Sequence, residues 1–261
     1  MPTPILRAMS LATGWFADCK LPRPLRSPLY RAYSSAYRVD LSELRLSLAD
    51  HPSFAAFFVR RLKDGARPFP ADPRTFPSPC DGTFQSFGAI ENGSILQAKG
   101  RPYPVEELLA LAPGEHDFTG GHAWTIYLSP RDYHRVHSPV AGRLEEVRWC
   151  DGARYSVAPK VLERRPKVLS INERAVLRLS TEHGPLWLVM VGALNVGRIR
   201  VVGVEPGAKG APRRFERGEE LARFEMGSTV VLVAPRGGPK PLASLALARA
   251  VRMGEPIGRV E

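Results

Sequence analysis

The stretch Phe224-Glu225-Met226-Gly227-Ser228-Thr229-Val230-Val231-Leu232-Val233 constrains this chain more than any other. The branched apolar run after Thr229 predicts a buried strand, and Gly227 sets a sharp bend immediately before it. The same bend brings the Ser228 hydroxyl close to the carbonyl behind it, which is the geometry for an attack of the chain on itself. Addition of Ser228 Oγ to the Gly227 carbonyl converts the peptide to an ester. β-Elimination then leaves a dehydroalanine at 228, which hydrolyses to a pyruvoyl group. A tight turn entering a strand explains the same residues without chemistry, so the rest of the sequence has to decide.

A chain of 261 residues holds one large domain or two small ones. Near its start, apolar residues recur in pairs, Ile5-Leu6, Ala8-Met9, Leu11-Ala12 and Trp15-Phe16, at the helical period. A basic stretch follows, Lys20, Arg23, Arg26 and Arg31, punctuated by Pro22, Pro24 and Pro28. Overall, 37 Lys+Arg against 26 Asp+Glu give a net charge of +11, which favours an anionic partner: nucleic acid, anionic lipid or a phosphorylated substrate. No stretch approaches the roughly 20 apolar residues of a membrane span. An amphipathic helix followed by cations fits a segment lying in a membrane interface, with a helix packed on its own domain as the alternative. Cys19, Cys80 and Cys150 show no metal-type spacing and point to a reducing compartment without a disulfide framework.

From Val39 to Arg67 the apolar pattern stays helical. Leu41 to Leu48 and Phe54 to Val59 predict two short helices broken near Asp50-His51-Pro52, with Ser53 capping the second. Pro70, Pro73, Pro77 and Pro79 then form a helix-free linker. The boundary falls at about residue 70, between a helical, membrane-associating segment (1–69) and a β-rich catalytic domain (70–261). Strands are predicted at 83–87, 94–98, 123–128, 143–148, 168–171, 175–180, 186–191, 199–204, 229–233 and 251–260, with one helix at 105–111. The expected class is α+β: N-terminal helices followed by a mostly antiparallel, barrel-sandwich-like β domain.

Two further stretches carry candidate chemistry. Ser78-Pro79-Cys80-Asp81-Gly82 puts an acid at a turn entering a strand. The stretch from Tyr127 to Gly142 sets two of the chain's six histidines, His134 and His137, three residues apart, beside Tyr133 and the two arginines Arg131 and Arg135, between prolines. Imidazole is suited to moving protons near neutral pH. A metal site is the competing reading of His-x-x-His, but no Cys or third His stands nearby at ligand spacing, so no metal is expected.

Together, the Asp-Tyr-His-Arg-Val-His-Ser-Pro segment, the Pro-Cys-Asp-Gly turn and the Met-Gly-Ser-Thr step resemble the phosphatidylserine decarboxylase family. Residues 57–68, 172–174, 191–197 and 218–221 extend the resemblance over nearly the whole chain from about residue 37. Met226 stands where the family usually has Leu or Phe, and Ala222-Arg223 replaces a more common Gly-Tyr.

The resemblance implies a proenzyme that cleaves itself between Gly227 and Ser228 into a β chain (1–227) and an α chain (228–261). The α chain begins with a covalent, self-generated pyruvoyl group at Ser228. It further implies decarboxylation of phosphatidylserine to phosphatidylethanolamine and CO2 through a Schiff base whose conjugated carbonyl accepts the electron pair. By the same precedent Asp81, His137 and Ser228 form the maturation triad, and His134 serves decarboxylation. The partners expected are phosphatidylserine and an anionic membrane surface on the cytoplasmic side of the cell membrane, with no nucleic acid and a homo-oligomer left open. Two other classes compete: a basic β-barrel that binds nucleic acid, which leaves His134 and His137 without a role, and a Ser-His-Asp esterase, which lacks the Gly-x-Ser-x-Gly elbow.

Overall fold

A computed structural model describes residues 13–96, 101–193, 199–225 and 228–260. Its strands, in chain order, are β1 Thr75–Pro77, β2 Gly82–Ala89, β3 Ser94–Leu96, β4 Pro102–Pro104, β5 His122–Leu128, β6 Arg135–His137, β7 Gly142–Cys150, β8 Arg174–Thr181, β9 Gly184–Gly192, β10 Ile199–Val201, β11 Arg213–Phe215, β12 Glu220–Phe224, β13 Ser228–Ala234, β14 Lys240–Pro241, β15 Ala250–Val251 and β16 Pro256–Arg259. Eight of them form one antiparallel sheet in the order β11-β7-β8-β9-β13-β5-β2-β15.

The branched run predicted to be a strand lies in the middle of that sheet. β13 is hydrogen-bonded to β9 on one edge and β5 on the other, with Ser228 opposite both Gly192 and Leu128. Its side chains alternate between two cores, Val230, Leu232 and Ala234 entering one and Val231 and Val233 the other. Burial on both faces is why this strand has no polar alternation, and each such Val or Leu contributes roughly 1.5–3 kcal/mol. The first core is closed by the small sheets β1-β16-β14 and β10-β12-β6, through Phe76, Ile257, Val136, Leu221 and Phe224. The second is closed by the helices Val105–Leu109, Pro159–Arg164 and Val168–Ile171. A third cluster joins Tyr30, Leu44 and Phe57 of the N-terminal layer, with the Tyr30 and Phe57 rings stacked at 4.7 Å.

The α+β class and the antiparallel character are as expected, but the sheets do not close into a barrel: β11 and β15 remain edge strands of an open sheet. Ser53 caps the helix Phe54–Phe58, accepting from Ala56 N–H at 3.2 Å. The helix expected over Leu41 to Leu48 is not formed. Its leucines serve a tertiary pairing instead, with Leu44 bridging Leu62 and only one 3-10 turn at Leu48–Asp50. Residues 13–18 are helical, and the rest of the first amphipathic helix lies outside the described residues.

The proline-punctuated basic stretch, given no element from sequence, is a 15-residue helix, Arg23–Tyr37. Pro24 sits in its first turn, where a missing N–H costs nothing, and burial of Tyr30 carries the helix through Pro28. Val168–Ile171, expected as a strand, is a helical turn, since a four-residue apolar run has no period to separate the two. The single strand expected over 251–260 is two, β15 and β16, parted by a turn at Gly254. There φ is +86°, and an added Cβ would strike the Pro68 carbonyl.

Candidate active site

Strand register brings the chemical stretches to one end of the large sheet. Tyr127 of β5 pairs with Thr83 of β2 on one side and Thr229 of β13 on the other, so the Asp81-Gly82 turn and Ser228 enter the sheet at the same end. A Cβ on Gly82 would lie 2.6 Å from both the Tyr127 carbonyl oxygen and Ile126 Cγ2, so only glycine fits this approach. The histidine segment is tied in by backbone bonds. His137 N–H donates to the Pro79 carbonyl at 2.8 Å, and Phe224 N–H donates to the His134 carbonyl at 3.0 Å, four residues before Ser228. Gly227 and the Ser228 side chain lie outside the described residues.

The two imidazoles share one hydrogen-bonding scheme. His137 Nδ1 lies 2.7 Å from the Gly218 carbonyl, and His134 Nδ1 lies 2.8 Å from the Asp132 carbonyl. A carbonyl only accepts, so each ring carries its proton on Nδ1 and presents Nε2 as an acceptor. Tyr133 OH stands 3.4 Å from His137 Nε2. Among the described residues the buried His134 Nε2 has no partner, in a ring that is 0% exposed and packed on Phe58 at 4.1 Å between centroids. Burial first, then the Arg60 charge, lowers the His134 pKa to about 3 against the pull of the Asp132 carbonyl. Burial also holds the His137 pKa below its ordinary value, while the Gly218 carbonyl and Glu220 act the other way. Both rings are thus delivered as neutral bases.

Asp81 is placed differently from its sequence assignment. Its carboxylate receives a fork from Arg67, Nε to Oδ1 at 2.9 Å and Nη2 to Oδ2 at 2.7 Å, and the Met253 N–H at 2.8 Å. Arg67 is clamped from its other side by Glu43 at 2.9 and 2.8 Å. Burial opposes the Arg67 charge, but the two carboxylates more than offset it and raise its pKa. Among the described residues Asp81 makes no hydrogen bond to His137, whose orienting acceptor is Gly218. Asp81 acts on that ring as a charge through space.

Sequence reasoning missed Glu43, which no local pattern marks, and Met253, which contributes only its backbone; Gly218 stands in a recognised stretch, but its role as the His137 acceptor is through its carbonyl and was not read. Arg60, Arg67 and Tyr133 stand within or next to the recognised stretches, but their roles depend on folding. His137 and Tyr133 line a surface pocket with the cations Arg45, Arg61, Lys63 and Arg67 and the acids Asp64 and Glu220, so cations outnumber acids around it. Among the described residues no group of three or more His, Cys, Asp or Glu is placed to hold a metal ion.

Two neutral imidazoles held as acceptors near the end of the sheet where β13 begins suit acid–base chemistry. Known proteins narrow that class. A family model described as phosphatidylserine decarboxylase matches residues 54–259. A protein of Halorhodospira halophila named phosphatidylserine decarboxylase proenzyme is 42% identical over 100% of this chain and 91% of its own length. Proteins of the same name from Pseudomonas fluorescens and Myxococcus xanthus are 39% and 38% identical, each over 96% of this chain and over 92% and 93% of their own lengths. The chain belongs to the phosphatidylserine decarboxylase family, and it is an enzyme of that decarboxylase type.

Proposed function

We propose that this chain is a proenzyme that cleaves itself between Gly227 and Ser228 and then decarboxylates phosphatidylserine to phosphatidylethanolamine. The observation that carries the reading is the His137 ring, held by Gly218 with Nε2 presented as an acceptor beside Tyr133 OH, at the sheet end where Ser228 begins β13. In maturation His137 Nε2 takes the Ser228 hydroxyl proton as Oγ attacks the Gly227 carbonyl. Elimination releases the carboxylate of residue 227, and hydrolysis releases ammonia and leaves a pyruvoyl group at 228. Among the described residues the buried His134 Nε2 has no hydrogen-bond partner, which suits a ring that acts on a polar substrate group. Once formed, the pyruvoyl group supplies the conjugated carbonyl that accepts the electron pair left by CO2.

The protein's own side chains do the rest. His134 Nε2 has no proton to give at the outset. It takes one from the substrate ammonium, which must lose a proton to become a nucleophile, and the bound substrate carboxylate raises its affinity for that proton. After CO2 departs, His134 returns the proton to the α carbon, so the reaction balances with one proton consumed. Arg45, Arg61 and Lys63 at the pocket mouth suit the lipid phosphodiester.

Attachment to the membrane is peripheral in this reading, on the cytoplasmic face. Trp15 and Phe16, 64% and 69% exposed, and the outward Leu25 and Leu29 of the helix Arg23–Tyr37 enter the interface, with Lys20, Arg23 and Arg31 toward anionic headgroups. Processing and turnover are tested together by mass spectrometry of the purified protein and CO2 release from phosphatidylserine vesicles. An intact chain that still releases CO2 at an enzymatic rate would overturn the proposal.

A further inference from the structure

Arg60 is 4% exposed and has no carboxylate within ion-pair reach among the described residues. Its guanidinium is committed to backbone instead. Nη2 donates to the carbonyls of Arg131 at 2.7 Å and Asp132 at 3.2 Å, Nη1 reaches the Phe58 carbonyl at 3.5 Å, and Nε has no partner among the described residues. A buried cation held without a direct ion pair is costly, and packing alone would be served better by an apolar side chain. The neighbouring carbonyl, Pro130, accepts from Tyr33 OH at 3.1 Å, so three successive carbonyls of the 130–132 segment are held by the N-terminal layer. The last of the three, Asp132, is the carbonyl that also receives the His134 Nδ1–H. Arg135 Nε closes the strap by donating to the Val59 carbonyl at 2.9 Å, and Phe58 covers the imidazole face.

We propose that Arg60 is a positioning residue for decarboxylation, fixing the Asp132 carbonyl so that His134 stays in the Nδ1–H tautomer with Nε2 presented to the reacting centre. The inference rests on the assignment of His134 to turnover. Arg60 does two things through one contact: it pins the acceptor that selects the tautomer, and its charge opposes protonation of the ring it faces. The other charged groups near His134 are accounted for. Asp132 receives Ser129 N–H and Oγ–H, each at 2.7 Å, and Arg135 is paired with Glu220 at 2.7 Å. Among the described residues Arg60 is therefore the cation at this ring that makes no ion pair, with the Asp81 and Asp132 carboxylates acting on it only through space. Its described hydrogen bonds go to the Phe58, Arg131 and Asp132 carbonyls and not to His137, so its effect is expected on turnover rather than on cleavage.

The test uses the full chain with Arg60→Met and Arg60→Lys, read by mass for cleavage, by kcat and KM on phosphatidylserine vesicles, and by 15N chemical shifts of labelled histidines for the His134 tautomer. Arg60→Met is expected to cleave normally and lose about 10²-fold in kcat with KM nearly unchanged. Its His134 should show mixed tautomers and begin to protonate within the accessible pH range. Arg60→Lys should recover part of kcat and most of the wild-type tautomer signature. A fall in kcat with His134 signals unchanged, or an unchanged kcat, overturns the proposal. If Arg60→Met does not fold, Arg60→Lys decides by the same signature. Wild-type turnover by His134→Ala would instead overturn the assignment beneath it, while the 15N signature still reports whether Arg60 holds the ring.

Discussion

His137 donates its Nδ1–H to the Gly218 carbonyl at 2.7 Å, and Asp81 is elsewhere, locked in a two-carboxylate clamp around Arg67. A backbone carbonyl fixes the tautomer as a carboxylate would, but adds no full charge to steady an imidazolium. His137→Ala is therefore expected to accumulate uncut chain. Asp81→Asn, which keeps an oxygen for Arg67 and Met253, should cleave more slowly than wild type yet measurably. Asp81→Ala, which leaves the buried Arg67 with Glu43 alone, should remain largely uncut. A gel time course of freshly synthesised chain orders the three, and equal cleavage by His137→Ala and wild type would remove His137 from maturation.

His134→Ala separates the two halves of the chemistry. The variant should cleave, since the ring is committed to Asp132 and not to the His137 pocket, but turnover should fall by roughly 10²- to 10⁴-fold, the usual range for lost acid–base help. Phosphatidylethanolamine formed per cleaved chain is the measurement. Turnover at the wild-type rate would contradict the role.

Burial of His134 as a neutral ring has a cost in acid. Its folded pKa is about 3 against an ordinary 6.5, so between those values the unfolded chain binds a proton that the folded chain does not. Stability is thus fully present above pH 6.5 and falls as the pH drops toward 3, with this one group contributing a slope of up to about 1.4 kcal/mol per pH unit. In an uncleavable Ser228→Ala background, adding His134→Gln should flatten the decline of the urea midpoint between pH 6.5 and 5. Parallel profiles for the two proteins would contradict the buried neutral state.

What the sequence disclosed follows from how local each signal is. The Val230 to Val233 run and the alternating strands β5, β8 and β9 were legible because their side chains face fixed cores. The histidine pair and the Asp81-Gly82 turn stood out because costly polar residues cluster there. The helix Arg23–Tyr37 was hidden behind prolines that its first turns tolerate, and Leu41 to Leu48 read as helix because its bridge to Leu62 is tertiary. The Glu43–Arg67–Asp81 clamp and the Gly218 acceptor join residues far apart in sequence, one of them through backbone, where residue type carries no signal.

Membrane attachment is expected to depend on the exposed apolar residues of the N-terminal layer. Trp15→Ser with Phe16→Ser, and separately Leu25→Ser with Leu29→Ser, should lower flotation with phosphatidylserine-containing vesicles. Added salt should weaken what remains, because each interfacial cation is worth about 1 kcal/mol. Unchanged flotation of both double variants would place attachment on another surface.

The central claim is that Ser228 becomes the reactive end of a second chain, and intact-mass measurement of the purified full-length protein under denaturing conditions tests it most directly. The account predicts two species, residues 1–227 and 228–261, the shorter lighter by one ammonia than a chain beginning with serine and able to react with hydroxylamine. They should separate only on denaturation, because β13 is paired along both edges. Ser228→Ala should give one uncut chain. A catalytically active preparation that remains a single chain, or a cleaved one whose short chain begins with an ordinary serine, would contradict the account.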